Sequence, residues 1–184
     1  VPCAQARLAT LQGALAPTGN PLDLAIRGRG FFVVETAGGP LYTRNGHFRL
    51  AADGRLVTEE GYPLRLAGGG NLQAAPGGAL EVTPEGEVKQ EGAVLGRIEI
   101  VDFTNLAALV KRPGGYFAAP AGTPQPASGY EIRQGHLESS NVNPAEAAVR
   151  LVSVMRQFEM LQRAISLGSE MNRRAVEEVA KVGS

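Results

Sequence analysis

The chain has no tryptophan, a single cysteine and two histidines among its 184 residues. Cys3 alone closes no internal disulfide, and Cys3, His47 and His136 fall in no spacing that zinc or redox sites use. Cys3 therefore reads as an ordinary small residue. Charge of neither sign dominates, since 18 Lys and Arg stand against 18 Asp and Glu. There is no basic run either, which removes the electrostatic footprint of a nucleic-acid or anionic-membrane binder. No stretch of about 18 apolar residues is present to enter a bilayer. Val1-Pro2-Cys3-Ala4-Gln5 lacks the charged-then-apolar order of a signal peptide, and its first residue is not Met. The expectation is an N-terminus lying further upstream, and a protein that either stays in the cytoplasm or leaves by a route that uses no cleaved signal.

Catalytic patterns are equally scarce. Gly28-Arg29-Gly30 runs into the apolar stretch Phe31–Val34 rather than a helix, so it is a turn and not a dinucleotide fingerprint. Gly68-Gly69-Gly70 has no following Lys-Ser or Lys-Thr and is a flexible connection, not a phosphate loop. His47 and His136 lack recognisable nucleophile or carboxylate partners, and Asp23, Asp53 and Asp102 stand alone. Ser139-Ser140-Asn141 lies just before a helix start, where Ser and Asn are the expected capping residues. A hydrolase would need clustered acids and bases, so the sequence reads as non-enzymatic, with no catalytic, cofactor or metal site.

What is abundant is Gly, at 24 residues, and Pro, at 12. This turn-rich composition points to a mainly β chain. From Leu22 to Leu66, short apolar runs at Phe31–Val34, Phe48/Leu50, Leu56/Val57 and Leu64/Leu66 alternate with Gly38-Gly39, Asn45-Gly46, Asp53-Gly54 and Glu60-Gly61. Such dipeptides accept the positive φ of tight turns, and the short spacing predicts a meander of hairpins. The glycine-rich stretch 67–79 predicts a break. Strands are predicted again at Leu80–Val82 and Ile98–Phe103, with one helical turn in Asn105–Val110. The prolines of 112–129 predict an irregular loop rather than a core element. Residues 1–21 form a lead-in, in which Leu8, Leu11 and Leu15 are compatible with a short helix. The β-rich domain is placed at 22–143.

Residues 144–182 read as one long C-terminal helix of coiled-coil type. Pro144 fits the first helical position, Asn143 the cap and Glu146 a capping box, while Lys181 suits the C-terminal end of the dipole. With Leu151 as heptad position a, Leu151, Phe158, Ile165, Asn172 and Val179 occupy a, and Val154, Leu161, Gly168, Ala175 and Val182 occupy d. At 1.5 Å per residue the helix is about 58 Å long, too long for a small domain to cover, so its seam is expected to pack on other helices. Asn172 would set register, and Gly168 would let a neighbouring backbone approach.

Two longer motifs carry a resemblance. The first is Thr18-Gly19-Asn20-Pro21-Leu22-Asp23-Leu24-Ala25-Ile26 with Gly28 and Gly30-Phe31-Phe32, continuing through Tyr42-Thr43-Arg44-Asn45-Gly46, Phe48 and Asp53-Gly54-Arg55-Leu56-Val57. The second is Gly135-His136-Leu137-Glu138-Ser139-Ser140-Asn141-Val142-Asn143, followed by Arg156-Gln157-Phe158-Glu159. Together they resemble the bacterial flagellar axial family of rod and hook proteins, over nearly the whole chain from about Leu15. The resemblance implies a β-rich middle domain and terminal helices that associate as coiled coils. It further implies a structural subunit of the basal-body rod, exported by the flagellar type III apparatus and assembling helically with copies of itself and with other rod and hook proteins. Neither nucleic acid nor membrane insertion enters this reading. Against the family pattern, the helix that precedes the β domain is expected to be lacking here, and Arg27 and Arg29 stand where relatives often carry acidic or neutral polar residues. The short middle and the Arg156-Gln157-Phe158-Glu159 segment resemble the rod proteins, of either the distal or the proximal type, rather than a hook or hook-associated protein. A secreted cell-wall-binding module is the other class, weakened by the scarcity of aromatic faces for sugar.

Overall fold

The structure, a computed structural model, describes residues 12–75, 77–120, 123–139 and 144–182, the last helix with side chains at 148–149 and 151–171. The chain divides into two units, Val1–Asn141 and Val142–Ser184. The first is mainly β and the second is a helix, as composition and periodicity predict.

The β unit runs through β1 (Leu15–Pro17), β2 (Leu24–Arg27), β3 (Phe31–Thr36), β4 (Gly39–Thr43), β5 (Arg49–Leu50) and β6 (Leu56–Val57). After the glycine-rich stretch come β7 (Leu80–Val82), β8 (Glu87–Gln90), β9 (Ala93–Arg97) and β10 (Ile100–Phe103). It closes with β11 (Val110–Arg112), β12 (Tyr116–Ala118), β13 (Pro124–Pro126), β14 (Glu131–Gln134) and β15 (His136–Glu138). The largest sheet has six strands in the order β11-β12-β4-β3-β10-β13. Every pairing in it is antiparallel.

The unbroken apolar run in β3 has a physical cause, because successive side chains point to opposite faces and both faces are covered. Phe32 and Val34 enter the main core with Leu24, Ile26, Phe48 and Leu56, while Phe31 and Val33 join Tyr42, Val101 and Phe103 on the other face. The rings meet edge-on, with centroids 5.3 Å apart for Phe32 and Phe48 and 4.9 Å for Tyr42 and Phe103. Edge-to-face contact is the arrangement that aromatic quadrupoles favour.

Several local expectations change. The hairpins β3–β4 and β5–β6 form, and Gly54 takes φ 79° in the turn between the latter pair. Asn45-Gly46, however, is no hairpin turn. Gly46 accepts a hydrogen bond from the Leu24 amide (2.9 Å), and a Cβ there would overlap the Leu24 carbonyl oxygen. Glycine is needed for close backbone approach, not for positive φ. Nor is the pairing a simple meander, because β2 pairs with the distant β14 and β1 with β15. Leu64 and Leu66 sit in isolated bridges beside Val34 and Ile98 instead of a continuous strand.

The break expected at 67–79 is bridged by packing. Leu72 and Ala74 are buried in the main core, and the Gln90 side chain both accepts from Ala75 N–H (2.7 Å) and donates to its carbonyl (2.9 Å). The predicted irregular loop at 112–129 contains β12 and β13, with Tyr116 only 4% exposed. Pro124 and Pro126 lie in the outermost strand of the six, where a missing N–H is tolerated. The turn expected in Asn105–Val110 is a 3-10 turn at Leu106–Ala108, where the Asn105 side chain accepts from Ala107 N–H. In the lead-in, Leu15 belongs to a strand instead of a helix; Leu8, Leu11 and Cys3 lie outside the described residues.

The second unit is α1 (Pro144–Val182), a single helix of 39 residues. Its first residue is the proline expected there, and the proposed cap Asn143 lies outside the described residues, as does the side chain of Glu146.

Candidate assembly site

The two sequence motifs converge on Arg44, which follows β4. Its guanidinium Nε donates to Glu138 Oε2 at 2.7 Å, Nη1 donates to the carbonyls of Gly30 (2.8 Å) and Gly28 (3.1 Å), and Nη2 to that of Ile26 (3.0 Å). Glu138 in turn accepts the Gly13 N–H through Oε1 at 2.8 Å. Arg44 and Glu138 side chains are 24% and 13% exposed. A planar fork with five donors suits this site, where four acceptors surround a half-dry pocket that a lysine's point charge could not span. Gln12 reinforces it by donating to the Ile26 carbonyl (2.8 Å) and accepting from Gly28 N–H (3.1 Å).

The clamp stands where the β unit is entered and left. In the β1–β15 ladder Leu15 faces Glu138, Ala16 faces Leu137 and Pro17 faces His136, and Ser139 N–H donates to the Ala14 carbonyl (2.8 Å). Alongside, Asn20 makes an Asx turn onto Leu22 N–H (3.2 Å) and donates to Asp23 Oδ1 (3.0 Å). Asp23 is buried, with His47 Nδ1 2.7 Å from the same oxygen. Thr43 is also buried; its hydroxyl donates to the Gly115 carbonyl (3.2 Å) and accepts from Asn45 N–H (3.0 Å). A Cβ at Gly54 would overlap the Ala74 carbonyl oxygen.

These motif residues hold the fold rather than form a pocket. Phe31, Phe32, Tyr42, Phe48 and Leu56 are core, and Leu22 packs on it. Gly30 sits against Ile100, and Gly28 against the Gly129 backbone. Ser140, Asn141 and Val142 lie outside the described residues. Arg27 and Arg29 reach outward to Glu131 (3.6 Å) and Asp102 (3.1 Å), exposed pairs of little energetic weight.

An open groove of about 800 Å³ runs between the β3–β4 hairpin, Tyr62, Arg65 and the segment Arg112–Pro120. Its aromatic side chains are engaged with one another: Tyr62 meets Tyr116 edge-on at 5.6 Å, and the Tyr116 hydroxyl donates to Glu60. That bond holds the Glu60 carboxyl below the usual range, while burial, followed by Glu60 itself, pushes Tyr116 up to about 12. Among the described residues no three His, Cys, Asp or Glu cluster as metal ligands, and no helix is long and apolar enough to cross a membrane.

On α1 the seam residues Leu151, Val154, Phe158, Leu161 and Ile165 are 62%, 56%, 60%, 62% and 68% exposed. Gly168 has open space where a Cβ would lie. The side chains of Asn172, Ala175 and Val179 lie outside the described residues. Sequence reasoning identified the motif members but missed which of them meet. Arg44 and Glu138 are 94 positions apart, and no periodicity links them.

Comparison with known proteins agrees with both units. The family described as the flagellar hook protein FlgE/F/G D1 domain matches residues 25–100, and that described as the flagellar basal body rod FlgEFG protein C-terminal matches 133–178. The flagellar basal-body rod protein FlgF of Caulobacter vibrioides is 36% identical over 173 residues, covering 93% of this chain and 71% of the relative. FlgF of Mesorhizobium japonicum is 37% identical over 156 residues, with coverage of 83% and 64%. The basal-body rod protein FlgG of Agrobacterium fabrum is 34% identical over 182 residues, with coverage of 87% and 65%. The chain thus spans roughly two thirds of the length of the relatives it matches. With matches on both sides of the Arg44–Glu138 clamp and along α1, the chain belongs to the family of flagellar basal-body rod proteins.

Proposed function

We propose that this chain is a structural, non-enzymatic subunit of the flagellar basal-body rod, that its β unit makes contacts between subunits, and that the seam of α1 packs against helices of the assembly. The observation that carries this reading is the exposed seam. Side chains of Leu, Ile and Phe type contribute about 1.5 to 3 kcal/mol each when fully buried, so a row of them left in water is a large liability for a solitary molecule. In a shaft built from repeated interfaces the same row becomes the adhesive. Family membership supplies the assembly; the motif clamp supplies a rigid β unit to build with.

The FlgF type is supported by the identities of 36% and 37% to two FlgF relatives against 34% to a FlgG relative. Helical self-assembly, contact with other rod and hook proteins, and export through the flagellar type III apparatus without a cleaved signal complete the proposal. The test is Phe158→Asp or Leu161→Asp in the full-length protein in cells. Each is expected to abolish rod assembly and motility while the β unit keeps its fold by circular dichroism. Wild-type motility in either variant rejects the reading.

A further inference from the structure

Asn45 is the only asparagine of the chain that is followed by glycine. Asparagine is chemically labile, and most so before glycine, which has no side chain to shield its own backbone nitrogen from the neighbouring amide. In that chemistry the glycine nitrogen gives up its proton to water and attacks the asparagine Cγ. A bond forms between them, the Cγ–Nδ2 bond breaks, and ammonia leaves. Water then opens the five-membered imide at one of its two carbonyls. One opening leaves aspartate; the other leaves isoaspartate, whose main chain runs through Cβ and Cγ and is longer by one carbon–carbon bond, about 1.5 Å.

Asn45 is exposed, so water reaches its amide and ammonia has a way out. Rotation is what the fold denies. The Asn45 N–H is bound to the hydroxyl of buried Thr43 (3.0 Å), and its Oδ1 accepts the His47 N–H (3.1 Å) in an Asx turn. Beyond the pair, the Gly46 carbonyl accepts the Leu24 N–H (2.9 Å), and His47 is held to Asp23 by a backbone bridge and by Nδ1 at 2.7 Å from Asp23 Oδ1. Phe48 then enters the core. Gly46 is itself buried, and a Cβ on it would stand 1.5 Å from the Leu24 carbonyl oxygen and 3.2 Å from the Phe32 ring. A main chain about 1.5 Å longer at this point cannot keep both the Thr43 bond and the Leu24 bond.

We infer that Asn45-Gly46 is a modification site sealed by the fold: the native β unit preserves the Asn45 amide, and a chain that stays unfolded converts it to isoaspartate and can no longer close Gly46 onto Leu24. Ring closure in the native protein must wait for this contact to open, so its rate is the unfolded-chain rate scaled by the open fraction. Conversion is irreversible while folding is not. Chains held unfolded are therefore progressively retired, and those that fold promptly escape.

The test incubates the purified chain at mildly alkaline pH, with and without enough urea to unfold it, and follows residue 45 by peptide mass spectrometry. Conversion is expected to be at least about tenfold slower in the native chain. Chains incubated in urea are then diluted to refold and separated by size into folded and unfolded fractions. Isoaspartate at position 45 is expected in the unfolded fraction, whereas Asn45→Asp, which keeps the Oδ1 acceptor and the ordinary backbone, is expected to refold. Native conversion at the rate seen in urea overturns the inference, as does isoaspartate recovered among folded chains in the same share as in the whole sample. Failure of Asn45→Asp to refold places the damage in the added charge instead of the lengthened backbone, and overturns it too.

Discussion

Arg44 shows how one side chain can hold distant segments in register. Its guanidinium satisfies three backbone carbonyls and one carboxylate, so its removal strands Glu138 and exposes polar groups with no replacement partner. Arg44→Ala is expected to lower stability by about 2 to 3 kcal/mol in urea unfolding, and Arg44→Lys to recover less than half of that. Tyr116 and Glu60 give a second residue-scale prediction, with opposite signs at the two ends of the pH scale. Tyr116 ordinarily titrates near 10 and is held to about 12, so its stabilising contribution is complete below pH 10 and is lost as pH rises toward 12. Glu60, held low by the same bond, stabilises above its ordinary range and loses that contribution as pH falls through its depressed value. Thermal melts of Tyr116→Phe across pH are expected to show a shallower decline at both ends. Neither pair is readable from sequence, because the two members are 94 and 56 positions apart and chemistry alone does not say which arginine meets which glutamate.

Elements were legible wherever a local rule decides them. The β3–β4 hairpin follows from its apolar run and paired glycines, the Leu106–Ala108 turn from Asn105, and the start of α1 from Pro144. Where the deciding contact is non-local, the local rule misleads. Asn45-Gly46 has turn chemistry, yet its glycine exists to let Leu24 pass close by. The prolines of 112–129 suggest disorder of pattern, yet a sheet edge accepts them as β13 while Tyr116 anchors β12. The β8–β9 hairpin carries an element-scale prediction: Glu91 takes φ 51° without being glycine, in the Glu91-Gly92 turn. A residue that tolerates this left-handed region relieves the strain, so Glu91→Asn is expected to raise stability by about 0.5 kcal/mol, read as a higher urea midpoint with unchanged slope.

For the whole molecule, the contrast is between a β unit with two filled cores and a helix whose large apolar side chains face water. Stability of the first is intrinsic, and stability of the second depends on company. A helix within a protein gains most of its stability from packing rather than propensity, and one without a partner is marginal in water. Thermal unfolding of the purified chain is therefore expected to resolve into a helical transition whose midpoint rises with protein concentration and a β transition that does not move. A single concentration-independent transition at both near- and far-ultraviolet wavelengths contradicts this division. The sequence carried this contrast more fully than any detail of strand pairing, because a heptad pattern is local and repeats, while sheet order depends on pairings such as β2 with β14 that no short window contains.

The antiparallel pairing of β1 with β15 has a mechanical corollary. Because the polypeptide arrives and departs on adjacent strands, a pull transmitted between the two leads is borne by a three-residue ladder and the Arg44 fork, and never threads the hydrophobic interior. Loops of the β unit that lie outside this ladder can lengthen or shrink while the paired entry and exit strands stay as they are.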